Sequence, residues 1–385
     1  MDLDLSPEQE SFRDEVREWL RADVPKEPLP STGTREGFDA HRAWERTLAS
    51  AGYGAIRWPE EYGGRGLDVV HQAIFEEEYL LAGGPERITV VGHNLLGPAL
   101  MAHGTDEQRS RWLPGILSAD VIWSQGFSEP EAGSDLAGLR CKAVRDGDDW
   151  VVDGQKIWTS YGPFADSIFA LVRTDPDAER HRGITVLGID MRSDGVEARP
   201  IIQIDGHAGF AQVFFTGVRV PHENVIGEVD GGWAVALAIL GFERDSPAAP
   251  AAAYLREVRE LAAVARTRGL DQDPVTSDAL AKLFVRAEAY RAYTLRTLTR
   301  LASGESLGSE ASVTKLLWSE LERDLYETGR DVLGPYGETL SDAPVADQAG
   351  WNSRYWFARA ATIYAGTSEI QRNIVAERVL GLPRG

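Results

Sequence analysis

The chain turns periodic at Ser6-Pro7-Glu8-Gln9. Ser6 has N-cap chemistry, Pro7 suits a first helical turn, and Gln9 closes a capping box. Phe12, Val16 and Leu20 follow at intervals of four and make one apolar stripe. Trp58-Pro59-Glu60-Glu61-Tyr62-Gly63-Gly64 interrupts the helices with a proline and a glycine pair. Helical patterning resumes near residue 69 and runs to 117, with a second start at Thr105 and its Gln108 three residues on.

The period changes in the middle of the chain. Trp150-Val151-Val152 and the runs 167–174, 183–191, 196–204 and 211–221 are short and rich in Val, Ile and Phe, with Gly, Asp and Pro between them. That pattern predicts antiparallel strands. No ten-residue helices alternate with them, which argues against a Rossmann sheet. Helical patterning returns at 231, runs to 300, and resumes over about 310–332. Residues 341–349 read as a loop, and a last helix starts near Thr367 and stops at Gly381-Leu382-Pro383. The expected fold is α+β: an N-terminal α-helical domain (1–121), a middle antiparallel β domain (122–231) and a C-terminal α-helical bundle (232–385).

Composition adds limits. The 385 residues suffice for two or three domains, and 43% hydrophobic with 26% charged residues is ordinary for a soluble globular protein. No apolar run reaches the roughly 18 residues of a membrane span, and the longest candidate is 233–242. The acidic start Met1-Asp2-Leu3-Asp4 lacks a secretory signal pattern, and the single cysteine, Cys141, allows no internal disulfide. A reducing cytoplasm is the expected location. The formal net charge of -20 argues against nucleic acid and anionic membranes as partners. An anionic ligand then needs a local basic or amide-rich pocket.

The seven histidines are scattered without ligand spacing, so no metal is expected. No G-x-S-x-G elbow, P-loop or post-strand G-x-G-x-x-G occurs, and Gly63-Gly64-Arg65-Gly66 reads as a turn. Four segments remain. They are Gln125-Gly126-Phe127-Ser128-Glu129-Pro130-Glu131-Ala132-Gly133-Ser134-Asp135, Asp153-Gly154-Gln155-Lys156-Ile157-Trp158-Thr159-Ser160, and Phe215-Thr216-Gly217-Val218-Arg219-Val220-Pro221 with 224–227. The fourth is Tyr364-Ala365-Gly366-Thr367-Ser368-Glu369-Ile370-Gln371-Arg372. In this order, on a helix–sheet–helix background, the chain resembles the acyl-CoA dehydrogenase family over nearly its whole length.

The resemblance implies FAD and an acyl thioester, on coenzyme A or a carrier protein. Gln125, Phe127 and Ser128 would line the flavin edge, Trp158 would pack near the ring, and Ser160 would offer a hydroxyl. Gly133 and Ser134 would lie where the cofactor and thioester arm pass. Thr367 and Glu369 would contact the cofactor, and Tyr364 and Gly366 the substrate. Most members carry the proton-abstracting Glu directly after the Tyr, where this chain has Ala365. Alanine accepts no proton, although its backbone N–H can still polarise the thioester carbonyl. A minority, resembling the isovaleryl and long-chain types, places the base just before an Arg on an earlier helix. Glu243 and Arg244 match that pair. A free Glu titrates near roughly 4.3; desolvation raises it and makes a better base.

The elements with which a neighbouring subunit grips FAD in the homotetrameric family are altered. The first reads Ala265-Arg266-Thr267-Arg268-Gly269-Leu270 without Phe-Gly. The second reads Asp331-Val332-Leu333-Gly334-Pro335, with an acid where an amide is usual and a proline that removes an N–H. The expected assembly is a homotetramer or dimer, or a heteromer with a related subunit as in some bacterial sterol side-chain dehydrogenases. The expected reaction is α,β-dehydrogenation of a branched or bulky acyl group, with electrons passing to an electron-transferring flavoprotein. The alternatives are a flavin oxidase or monooxygenase on the same fold, or a non-catalytic subunit.

Overall fold

A computed structural model describes residues 5–245, 251–338 and 350–383, and for 243–245 the backbone alone. The chain divides into two compact units, Met1–Val24, Asp68–Gly84 and Arg244–Gly385 in one, Pro25–Leu67 and Pro85–Glu243 in the other.

The first unit is helical. α1 (Pro7–Asp23) has the anticipated capping box: the Ser6 hydroxyl accepts from the Gln9 N–H, and the Gln9 side chain accepts from the Ser6 N–H. Its buried face is Phe12, Val16 and Leu20, the stripe of four-residue spacing. Phe12 meets His71 of α3 (Val69–Leu81) edge-on, and Arg17 pairs with the buried Glu78 at 2.8 Å. Residues 251–267, 274–302, 311–333, 350–361 and 368–374 form α7 (Ala251–Thr267), α8 (Pro274–Ala302), α9 (Ala311–Leu333), α10 (Gly350–Ala361) and α11 (Ser368–Ile374). α9 packs against α7, α8, α10 and α11. Leu261, Leu283, Ala287, Leu321, Leu325, Ala358 and Ala361 fill the core between them. Gly329 admits α10, because a Cβ there would stand 2.7 Å from the Trp351 ring. α10 has no counterpart in the sequence expectations; its buried set is sparse, with Trp351, Asn352, Ala358 and Ala361. The loop expected over 341–349 lies outside the described residues.

The second unit wraps helices around a sheet. α2 (Arg35–Ser50) precedes the Trp58 turn; a π-helical stretch Val91–Leu96 leads into α4 (Gly97–His103), then α5 (Asp106–Leu117), capped by Thr105 and Gln108 as anticipated. The strands are β1 (Trp123–Gly126), β2 (Lys142–Asp146), β3 (Asp149–Ser160), β4 (Ser167–Arg173), β5 (Ile184–Asp190), β6 (Val196–Ile201), β7 (Phe210–Pro221) and β8 (Val225–Ile226). They run β6-β7-β3-β2-β4-β5-β8 across the sheet, with β1 beside β4.

β4 shows why its apolar run is continuous. Phe169 and Leu171 join a core with Leu100, Leu113 and Ile184, while Ile168, Ala170 and Val172 join another with Val152, Leu187 and Val213. Alternate residues face opposite sides, and both sides are covered. α6 (Gly232–Asp245) contributes Val235, Ala236 and Ile239 to the first of these cores.

Two features depart from the expected antiparallel sheet. β1 pairs with β4 in parallel, and β2 touches β4 through one parallel pair, Lys142 with Arg173. The sheet is therefore mixed. β1, β2 and β8 were also not anticipated: β1 and β8 are too short to show a period, and β2 buries only Ala143.

Candidate active site

In the second unit the structure brings three of the sequence segments together: the third pairs with the second, Gly154 lying opposite Phe215 and the adjoining Val152 opposite Val218. Gln125 sits half-buried in β1 opposite Phe169. Phe127 is buried and meets the Phe169 ring edge-on at 5.8 Å. The Ser128 carbonyl accepts from the Ile157 N–H at 2.9 Å. Glu129 and Ala132 exchange backbone bonds at 3.1 Å and close a tight turn. Glu129 is buried and accepts from the Arg140 and Cys141 N–H groups at 2.6 and 2.9 Å. Lys156, fully buried, donates to Glu129 at 2.7 Å and to the Phe127 carbonyl at 3.2 Å. Gly133 and Ser134 are exposed, and a Cβ at Gly133 would meet nothing within 4 Å. Nothing among the described residues demands a glycine there.

β3 is bulged between Lys156 and Thr159, where its register with β7 shifts. Trp158 occupies the bulge with φ 61°, and its side chain is 57% exposed. A left-handed backbone on a bulky residue costs of order 1–3 kcal/mol and marks a held conformation. A bulge re-aims one side chain out of the strand's alternation. Trp158 is thus not a core residue, and the Phe210 ring lies edge-on to it at 6.2 Å. Ser160 is half-buried opposite Phe210, and its carbonyl accepts from the Ser124 hydroxyl at 2.7 Å.

In the first unit the C-terminal segment forms a turn between α10 and α11. Ala365 has φ 52° and Gly366 φ 88°. The Gln371 amide, 2% exposed, donates to the Ala365 carbonyl at 3.0 Å and to the Gly366 carbonyl at 3.4 Å. The φ of 88° favours glycine at 366, and a Cβ there would stand 2.4 Å from that amide nitrogen, displacing the Gln371 side chain. The Ala365 N–H donates to no backbone acceptor among the described residues. Thr367 caps α11 by accepting from the Ile370 N–H at 3.2 Å. Glu369 is exposed in its first turn; its own N–H and the Thr367 hydroxyl hold its carboxyl below the usual range. Tyr364 is 41% exposed, with Trp318 at 6.0 Å and the Lys315 ammonium 5.0 Å over its ring. Lys315 also donates to the Ala361 carbonyl at the end of α10.

α6 remains helical through Asp245, so Glu243 and Arg244 lie in its last turn. Their side chains lie outside the described residues. Among those described, no group of three His, Cys, Asp or Glu is arranged to hold a metal ion. No helix of the described residues is long and apolar enough to cross a membrane. Lys156, Glu129 and Gln371 received no role from the sequence, although all three lie inside the quoted motifs. The signal available was a buried-type Lys in strand alternation and an amide one turn beyond a Gly.

In the second unit, the loop with its inward-turned carbonyls, the open Gly133 and the outward Trp158 on its strained bulge suit the edge and face of a flat cofactor ring. The family models agree over most of the chain: the N-terminal, middle and C-terminal domains of acyl-CoA dehydrogenase match residues 6–120, 124–218 and 230–380. The chain is 42% identical over 382 residues to acyl-CoA dehydrogenase IpdE1 of Mycobacterium tuberculosis, covering 97% of this chain and 98% of that one. It is 35% identical to acyl-CoA dehydrogenase FadE26 of the same organism over 401 residues, 100% and 99% of the two chains. Among solved structures, the Tcur3481-Tcur3483 steroid ACAD superposes with TM-score 0.90 at 33% identity, covering all of both chains. The ChsE4-ChsE5 complex from Mycobacterium tuberculosis does so with TM-score 0.84 at 34% identity, again over all of both. The chain belongs to the acyl-CoA dehydrogenase family and is an oxidoreductase whose cofactor is FAD.

Proposed function

We propose that this protein catalyses α,β-dehydrogenation of an acyl thioester, with Glu243 as the group that removes the α-proton. The observation that carries the assignment is Ala365, which stands where most of the family has its base and has no acceptor. Glu243 is the first ionisable residue after the apolar run of α6, whose Val235, Ala236 and Ile239 are buried. Withdrawing a carboxylate from water favours its neutral form and so makes it a better proton acceptor. The Ala365 N–H, without a backbone acceptor among the described residues, polarises the thioester carbonyl and stabilises the enolate-like charge as the proton leaves. FAD, when bound, supplies the acceptor for the β-hydride at its N5 edge. As the family resemblance implies, Gln125, Phe127, Ser128 and Trp158 would hold its ring with Ser160 as a hydroxyl donor, Thr367 and Glu369 would also contact it, and Ser134, Tyr364 and Gly366 would contact the substrate. Arg244 accompanies the base. An electron-transferring flavoprotein is the expected acceptor.

Replacing a glutamate by Ala365 leaves room beside the reacting carbons, which suits a branched or ring-bearing acyl group. A solved relative titled a steroid ACAD is in keeping with that. Glu243→Gln is the direct test. Bleaching of the flavin by a panel of straight, branched and cyclic acyl thioesters should favour the bulky ones in the wild type. It should fall at least about a hundredfold in the variant. Unchanged bleaching in Glu243→Gln would remove the assignment.

The altered grip elements favour a heteromer. Asp331 and Pro335 replace groups that would otherwise serve an anionic pyrophosphate, and two of the solved relatives carry paired names, Tcur3481-Tcur3483 and ChsE4-ChsE5. This chain then supplies the ring contacts and the base, and a related subunit supplies the grip. Light scattering of the chain expressed alone, with FAD occupancy read from flavin absorbance, should show incomplete loading; a tetramer with one FAD per chain rules the heteromer out.

A further inference from the structure

We propose that the buried Lys156–Glu129 pair is a positioning device that aims the Ser128 N–H at the bound flavin. The proposal rests on the assignment of Ser128 to the flavin edge. Lys156 is 0% exposed and Glu129 8% exposed, and the two charges meet at 2.7 Å. Burying such a pair costs several kcal/mol per ion, and apolar residues of similar size often serve a fold as well or better. The pair therefore needs a reason beyond stability, and its remaining hydrogen bonds supply one.

Among the described residues, every additional hydrogen-bond partner of the pair is backbone. Lys156 donates to the Phe127 carbonyl at 3.2 Å. Glu129 accepts from the N–H groups of Arg140 and Cys141, just ahead of β2. One buried point thus ties the Phe127–Glu129 loop, the entry to β2 and the middle of β3. The Phe127 carbonyl belongs to the peptide that carries the Ser128 N–H. That peptide is trans, since no cis bond occurs among the described residues. In a planar trans peptide the N–H points opposite to the C=O. Holding the carbonyl on the Lys156 side turns the Ser128 N–H to the other side, where no backbone acceptor among the described residues takes it. The next peptide is fixed as well, by the Ile157 N–H on the Ser128 carbonyl. An apolar pair could fill the same volume, but it could not orient the peptide.

The test separates orientation from folding. Lys156→Met alone leaves the Glu129 charge buried without its partner and is expected to fold poorly. The double variant Glu129→Gln with Lys156→Met is neutral and close in volume. It should melt within a few degrees of wild type, yet bind FAD at least about tenfold more weakly. Glu129→Gln with Lys156→Gln restores an N–H donor toward the Phe127 carbonyl and should recover much of that affinity. A merely structural pair would not separate the Met from the Gln variant. Hydrogen exchange over 125–141, measured without cofactor, should be faster in the Met double variant than in wild type. FAD binding within twofold of wild type in the Met double variant, or unchanged exchange, overturns the proposal. Wild-type protein, alone and with any subunit that copurifies, is titrated in parallel; failure of wild type to bind FAD would count against the flavin assignment itself, while the exchange result still decides the brace.

Discussion

Replacing Gln371 by Met removes two hydrogen-bond donors from the Ala365 turn with little change in volume. The amide bonds the Ala365 and Gly366 carbonyls at 3.0 and 3.4 Å from a site 2% exposed. The longer contact is weak, so one good amide–carbonyl bond is lost, a net of about 0.5–1.5 kcal/mol. Ala365 meanwhile holds φ 52°, which costs an alanine roughly 1–2 kcal/mol. Clamp and strain are therefore of the same size, and losing the clamp frees the turn to relax. About 1.4 kcal/mol shifts a population or a rate tenfold. We expect Gln371→Met to lower kcat about tenfold with FAD content unchanged, read as the single-turnover rate of flavin bleaching by a thioester that bleaches wild type. Adding Ala365→Gly removes the strain, because glycine adopts this φ freely, and should restore the rate to within about threefold. A rate within twofold of wild type in Gln371→Met refutes the clamp. An undiminished loss in the double variant refutes the strain argument.

Two further outcomes follow from the structure. The Glu322 carboxyl is pushed up to about 7, first by burial and then by Glu257, against the Tyr254 hydroxyl at 3.2 Å and the Lys315 charge. Its pKa is raised on folding, so its contribution to stability is complete below the unfolded value near 4.5 and is lost as pH rises through about 7. At about 1.36 kcal/mol per unit, reduced for partial exposure, this amounts to about 2 kcal/mol between pH 5 and 8. Thermal melts of Glu322→Gln should lose that part of the decline, and an identical pH slope would show that the group carries none of it. Trp158→Ala should leave the melting temperature nearly unchanged, since the side chain is 57% exposed, while FAD affinity falls several-fold by titration; unaltered affinity would remove Trp158 from the cofactor site.

The sequence made some levels of this structure legible and left others hidden. Caps were readable because they are local: Ser6–Gln9 and Thr105–Gln108 need only a hydroxyl and an amide three residues apart. β4 was readable because both its faces are buried, which leaves an unbroken apolar run. β1 was not, because four residues ending in Gln125-Gly126 carry no period, and its parallel place beside β4 depends on chain that folds over later. The motifs were readable because a flavin and a thioester demand particular side chains. The residues that hold those motifs were not. Lys156 and Gln371 act on backbone carbonyls, and any residue type has a carbonyl.

Position 365 shows what this means for the chemistry. In most of the family one residue there offers both a carboxylate and an amide. These two functions are physically separable. The left-handed backbone at Ala365 is set by what surrounds it: Gly366, whose φ of 88° favours glycine, and Gln371, which grips both carbonyls. None of these contacts uses the side chain at 365. A glutamate or an alanine would meet the same turn and present the same N–H. The chain can therefore lose the acid while keeping the amide's direction, and the proton acceptor is free to reside on another helix. The same logic holds at Ser128, whose amide is turned outward by a charge pair buried beneath it. In both places the donor belongs to the backbone, and a buried polar side chain sets its direction.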